Sequence, residues 1–225
     1  MAMTPDELRR AWWIDFSGED SMDACSATRR EWYQQLFEEI FEDNFGLWQR
    51  ACESGRDEKD KQRWKINALS GRRYAYHLDL FRFLGRLLGR ALIDGSLVPF
   101  LEAHVYKLLL GWPITFEDLN SADEEIYKNL RTGLDMGDEI EEFSLNFSTP
   151  ADNLGRGTDV EFMAGGSSVH VNADNFPEWL EGHLKYSLYG RVKAQLDELL
   201  LGFSEVVPIP ILLVFVPKEF EKLLS

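Results

Sequence analysis

The run from His77 to Asp94 constrains the fold more than any other part of the sequence. Leu84, Leu87, Leu88 and Ala91 recur at helical spacing, with Leu80 and Phe81 before them. Arg82, Arg86 and Arg90 line another face at spacing four. Gly85 and Gly89 lie on one side, where the missing side chain permits close approach of another backbone. Gly95 suits the stop. The pattern predicts one long helix that must bury a face.

Other helices follow from caps and rows. Thr4-Pro5-Asp6-Glu7 reads as a capped start. Thr28 to Glu31 is a second capping box, opening a helix to about Glu42 with rows Trp32, Leu36, Ile40 and Tyr33, Phe37, Phe41. Leu101 to Leu110 is a helix closed by Gly111-Trp112-Pro113. Ser121 to Glu124 is a third capping box, leading through Ile126, Leu130 and Leu134. A long helix is predicted from Phe176 to Leu201, stopping at Gly202.

Strands are predicted at Trp12–Phe16, at Phe143, Leu145 and Phe147, and at Asp159–Met163 and Ser167–Val171 around a Gly165-Gly166 turn. Gly18–Ser26 and Glu53–Arg63 read as loops, and Asn153–Thr158 as a turn. The order implies an α+β fold: a mainly helical large subdomain with a small mixed α/β subdomain inserted at about 122–182.

A net charge of −15 on 225 residues disfavours nucleic acid and anionic membranes, and favours a basic protein partner. The longest apolar run, Ile209–Val216, is broken by Pro210 and is too short for a membrane span. Two cysteines, Cys25 and Cys52, make no disulfide framework and read as reduced thiols of the cytosol or nucleus.

No self-contained catalytic constellation emerges. His77, His104, His170 and His183 pair with no second ligand at metal spacing, so neither a metal nor a cofactor is expected. No GxSxG or phosphate-binding glycine loop is present. Cys25, near a helix start, could carry a lowered pKa, but a structural thiol is the plainer reading.

An ordered series of short segments then becomes informative. Trp13-Ile14-Asp15-Phe16-Ser17-Gly18-Glu19, Arg30-Glu31-Trp32-Tyr33 and Asn44-Phe45-Gly46-Leu47-Trp48 resemble the opening of HECT ubiquitin ligase domains. Phe83-Leu84-Gly85-Arg86, Thr115–Leu119, Gly165-Gly166, Val171–Asn175, Gly202-Phe203, Val207-Pro208 and Lys218–Leu224 follow in the expected order. The resemblance covers nearly the whole chain and identifies it with the N-terminal lobe. Cys25-Ser26 departs from a glycine pair usual in the family, and Ile209–Val216, strand-like in composition, should by resemblance form a short helical turn.

The resemblance implies a docking role. The small subdomain would receive a ubiquitin-conjugating enzyme in an apolar groove at Leu130, Leu134, Met136, Phe143, Leu145 and Trp179. Leu130 and Leu134 share a helix face, and Phe143 and Leu145 alternate onto one strand face. Ordinary core is the alternative for these positions. Asp135, Asp138, Glu139, Glu141 and Glu142 surround the site in sequence, as solvated loop or as an attractor of a basic partner. A second ubiquitin site, as in some members, would fall near Phe45 and Leu154.

The family's catalytic cysteine belongs to a following C-lobe, and neither Cys25 nor Cys52 matches it. The resemblance thus implies an active transferase only in the longer protein, with protein substrates bound by other regions. A non-catalytic helical scaffold is the competing reading.

Overall fold

The computed structural model describes residues 4–12, 26–51, 63–150 and 159–225. The fold is mainly helical with a few short strands, the α+β class expected. The chain divides into a large unit, Met1–Pro113 with Val192–Ser225, and a small unit, Ile114–Arg191. The small unit is wider at both ends than the 122–182 read from the sequence.

In the large unit, α1 (Pro5–Arg9) opens on the expected capping box, with the Glu7 N–H donating to Thr4 Oγ1 at 3.3 Å. Helix α2 (Ser26–Ile40) is already helical two residues before Thr28, so Thr28 is not its cap. Its row Tyr33, Phe37, Phe41 is buried, with Ile40 beside it, while Trp32 and Leu36 are half-buried. The rings continue into Trp48, which stacks on Phe41 at 4.7 Å between centroids. Trp48 begins β1 (Trp48–Arg50), paired antiparallel with β2 (Trp64–Ile66). Sequence patterning missed this pair, because three residues are too few to display alternation.

After α3 (Ser70–Arg73), helix α4 (His77–Asp94) has the predicted bounds, and Gly95 ends it at φ 65°. Helix α5 (Ala103–Leu109) starts later than predicted. Leu101 is held in a bridge with Trp64, and the Glu102 N–H donates to the Trp64 carbonyl at 3.0 Å, which keeps both residues extended.

In the small unit, α6 (Phe116–Ala122) carries the capping box, from Thr115 to Asp118. Ser121 therefore lies inside α6, and Asp123 caps α7 (Glu124–Met136) by accepting from the Ile126 N–H at 3.0 Å. Helix α8 runs over Phe176–Leu188. The single helix predicted to Leu201 is two helices: α8 stops at Tyr189, a turn follows at Gly190–Val192, and α9 (Lys193–Val206) returns to the large unit. Gly202 does not stop α9 but lies within it, because α4 packs on that side.

Two predicted strands are largely replaced. Gly137–Phe143 is a 3-10 turn, and Ser144 sits at φ 49°. Strand β3 is only Ser148–Thr149, paired with β4 (Val160–Glu161). Phe143 and Leu145 therefore do not share a strand face. Ser167–Val171 is a 3-10 turn at Gly166–Ser168 followed by one bridge, Asn146 to His170. The Glu161 carboxylate bends it, accepting from the Gly165 N–H at 3.0 Å and the Ser167 N–H at 3.1 Å. Its pKa is lowered by the Ser167 hydroxyl first and then by these backbone donors.

The end of the chain forms α10 (Ile209–Leu212) and α11 (Pro217–Leu224). Trp13–Phe16, most of the Gly18–Ser26 and Glu53–Arg63 loops, and all of the Asn153–Thr158 turn lie outside the described residues. Among the described residues, no helix is long and apolar enough to cross a membrane.

The large unit is built on the crossing of α4 and α9. A Cβ on Gly85 would lie 2.0 Å from the Leu199 carbonyl oxygen, and one on Gly202 would lie 2.0 Å from that of Arg82. Each helix thus has a glycine where the other's backbone passes. The arginine row closes the same seam: Arg82 and Arg86 both bind Glu205, and Arg82 also reaches Glu198 at 3.3 Å. Arg90 turns to Asp94 instead.

Candidate functional site

The small unit is held by a cluster of Leu119, Leu130, Ile140, Phe147, Val171, Phe176, Trp179, Leu180 and Leu188. Leu130 and Trp179, both expected in a groove, belong to this buried cluster. Met136 and Leu145 are partly buried and pack against it. Leu134 and Phe143 face solvent, at 40% and 56% of full exposure.

Local geometry explains the split. Gly133 is buried with the Phe176 ring against it; a Cβ there would meet Phe176 Cζ at 2.8 Å. The next residue, Leu134, therefore points outward near the end of α7. Gly137 at φ 58° then reverses the chain into the 3-10 turn. That turn buries Ile140 and leaves Phe143 exposed at its end.

Trp179 is held inside the cluster. Its Nε1–H donates to the Asn146 carbonyl at 2.8 Å. Phe176 stacks on it at 5.5 Å and His183 at 5.1 Å, and Phe162 meets it edge-on at 6.3 Å. An indole so fixed supports neighbouring surface and offers little of its own.

The charge around the exposed pair is one-sided. From Leu134 to Phe143 there are five acids and no cation. Asp135, Asp138, Glu139, Glu141 and Glu142 are all exposed, and none has an ion-pair partner among the described residues. Such a surface offers apolar area with carboxylates around it in sequence.

The sequence marks His183 as no more than a solvated or core histidine. Both its ring nitrogens are buried without a hydrogen-bond partner, and burial lowers its pKa. The folded protein then holds fewer protons than the unfolded chain near pH 6. Stability is complete above the ordinary value of ~6.5 and declines as pH falls toward the depressed folded value. Urea unfolding between about pH 5 and 8 is expected to show this slope in the wild type and a shallower one in His183→Leu. Equal slopes would remove His183 as the cause.

Phe45 lies in the large unit, half-buried, with its ring 5.9 Å from that of Tyr74. Leu154 lies outside the described residues.

The fold is mainly helical with a small mixed unit, and that unit bears an outward Leu and Phe close to acids in sequence. The model of the HECT-domain (ubiquitin-transferase) family matches residues 34–225, and the chain belongs to that family. Among similar proteins, the E3 ubiquitin-protein ligase Nedd-4 of Drosophila melanogaster is 30% identical over 97% of this chain and 21% of its own length. The E3 ubiquitin-protein ligase TOM1 of Saccharomyces cerevisiae is 32% identical over 99% of this chain and 7% of its own. The human E3 ubiquitin-protein ligase NEDD4 is 30% identical over 97% of this chain and 16% of its own. The chain thus spans about a fifth or less of these relatives.

Proposed function

We propose that this chain is the conjugating-enzyme docking lobe of a HECT-type ubiquitin ligase. Its small unit holds a ubiquitin-conjugating enzyme through the outward side chains of Leu134 and Phe143, backed by Met136, Leu145 and the fixed Trp179. In the whole protein, ubiquitin passes from the conjugating enzyme to a ligase cysteine as a thioester, and then to a substrate lysine. The residues described here supply placement: holding the donor near its acceptor makes the transfer effectively intramolecular. Ubiquitin and protein substrates are the other partners, and Phe45 is the described residue to test for a noncovalent ubiquitin contact.

The observation that carries this reading is the exposure of Leu134 and Phe143 on a unit whose other large apolar residues are mostly packed inside, in a chain of this family. The acids nearby suit a basic enzyme surface and act mainly on association rate, so docking should slow as salt is raised.

Calorimetry against a panel of ubiquitin-conjugating enzymes tests it. Phe143→Ala is expected to weaken docking by about 2 kcal/mol, roughly thirty-fold, as interface anchors do. Leu134→Ala should act in the same direction. Trp179→Ala should also weaken docking, but it opens a core cavity worth about 3–5 kcal/mol of stability, so the exposed pair gives the cleaner result. Unchanged affinity in both folded single variants, or no binding by any enzyme of the panel, overturns the proposal.

A further inference from the structure

Helix α8 carries three rings at positions 176, 179 and 183, spaced three and four apart and hence on one helix face. They stand as a column. His183 stacks on Trp179 at 5.1 Å with 23° between planes, and Trp179 on Phe176 at 5.5 Å with 19°. One end of the column bears on the docking residues. The Phe176 ring lies against Gly133, the residue before Leu134, and Trp179 donates to the carbonyl of Asn146, the residue after Leu145. The other end is closed by Phe162. Its ring meets His183 edge-on at 5.9 Å and sits over Gly182, where a Cβ would come within 2.8 Å of it.

An apolar ring would fill the end of this column equally well. The sequence places an imidazole there, with both nitrogens buried and without a hydrogen-bond partner. Charged neighbours are engaged or face water. On α8, Glu181 pairs with Lys185 at 2.7 Å, Glu178 is exposed, and the Tyr186 ring lies by Phe162 at 6.2 Å. Beside Phe162, Glu161 accepts from the Gly165 and Ser167 N–H groups, and Asp159 is exposed. On α6, Glu117 accepts from Tyr127 and Asp118 from the Thr115 N–H. On α7, Glu124 pairs with Lys128, while Glu125, Arg131 and Asp135 are exposed, as is His170 in its bridge to Asn146. Burial is accordingly the sole cause of the lowered pKa of His183, with no charge contributing. An imidazolium at this place would gain some attraction from the indole face. It would lose water and find no acceptor, which costs more.

We infer that His183 is a positioning residue for conjugating-enzyme docking, holding Trp179 and Phe176 in place as a neutral ring and releasing them when it takes up a proton. The inference rests on the docking reading above and adds a regulator to the same site. Any buried histidine makes stability depend on pH; the particular claim is that the docking constant carries the titration of this one. Only the neutral form docks. Docking is then insensitive to His183 above about pH 7 and weakens toward about tenfold per pH unit once pH falls below the folded value. The coupling is reciprocal: an enzyme that selects the neutral ring must lower the pKa of His183 further when it binds.

Calorimetry of the whole chain with a conjugating enzyme that binds at about pH 8, repeated down to about pH 5, decides it. His183→Phe keeps a ring on Trp179 and removes the proton site. Circular dichroism confirms that both proteins are folded at each pH. The enzyme's own titrations cancel in the ratio of wild-type to His183→Phe association constants. That ratio is expected to be flat from about pH 8 to 7 and to fall at least threefold by about pH 5. Carbon-edited NMR of the imidazole signals needs no variant: the His183 titration should move to lower pH in the complex. A flat ratio throughout, or a His183 titration unmoved by bound enzyme, overturns this inference and leaves docking standing. No binding by any enzyme at about pH 8 overturns the docking reading and this inference with it.

Discussion

Replacing Asp94 by alanine is expected to remove about 3–5 kcal/mol of stability, the range for stripping one partner from a buried ion pair. Its carboxylate is 4% exposed and serves five donors. Arg90 donates from Nε at 2.9 Å and from Nη2 at 2.7 Å, Tyr33 from its hydroxyl at 2.9 Å, Trp12 from Nε1 at 3.0 Å and Arg29 at 3.2 Å. The third arm of Arg90, Nη1, donates to the carbonyls of Arg9 at 3.0 Å and Arg10 at 2.8 Å. One carboxylate thus ties α1 and α2 to α4. Alanine would leave the Tyr33 hydroxyl and the Arg90 charge buried without their acceptor, and each costs more than the bond itself contributed. Against a typical stability of about 5–15 kcal/mol, the loss should be plain in urea melts.

The same residue gives a pH signature. Burial acts to raise the pKa of Asp94, but the donors from Arg90, Trp12 and Tyr33 and the Arg90 charge outweigh it, so the value is lowered. Burial, aided by the Asp94 charge, meanwhile pushes the Tyr33 hydroxyl up, keeping it a donor. With a folded pKa below the unfolded ~3.9, the stabilisation is complete above about pH 5 and drains away as pH falls through the folded value. The advantage of wild type over Asp94→Asn should therefore be constant near neutrality and shrink in acid. An advantage unchanged down to about pH 2, or absent at pH 7, sinks the assignment.

The long, strongly periodic pieces were legible. Helix α4 came out with both ends correct, because two independent rows and a terminal glycine agree on it. The three-residue strands β1 and β2 were not, since nothing so short carries a period. Other misses have one cause: a local pattern was overruled by a distant contact or an unrecognised turn. Gly202 looked like a helix stop and is a packing contact; Phe143 and Leu145 alternated like a strand, yet a backbone at positive φ turns the chain on either side of Phe143. The candidate site shows the same limit. Leu130 and Leu134 stand four apart and share a helix face, yet the first is buried and the second open. Spacing tells which residues are neighbours on a helix; it does not tell where the covering ring of Phe176 ends.

Gly85→Ala and Gly202→Ala should each cost about 3 kcal/mol, at the upper end of what overpacking usually takes. The added methyl meets backbone in both cases: the Leu199 carbonyl oxygen at 2.0 Å and the Phe203 nitrogen at 2.7 Å for Gly85, the Arg82 carbonyl oxygen at 2.0 Å for Gly202. A side chain could rotate away, whereas a helix backbone can only move as a body, so α4 and α9 must part along their length. Gly89 provides the contrast. Its nearest neighbour would be the Val206 Cβ at 3.0 Å, a side-chain atom, and alanine there should cost distinctly less. Because both close contacts hold the same crossing, the two penalties should not add. Once one methyl has spread the helices, the second finds room already made, and Gly85→Ala/Gly202→Ala should cost well under the sum of the single changes. Urea unfolding of the four proteins in that cycle measures the coupling. Strict additivity, or a Gly89→Ala as harmful as the other two, would mean that α4 and α9 are not in backbone contact at this crossing.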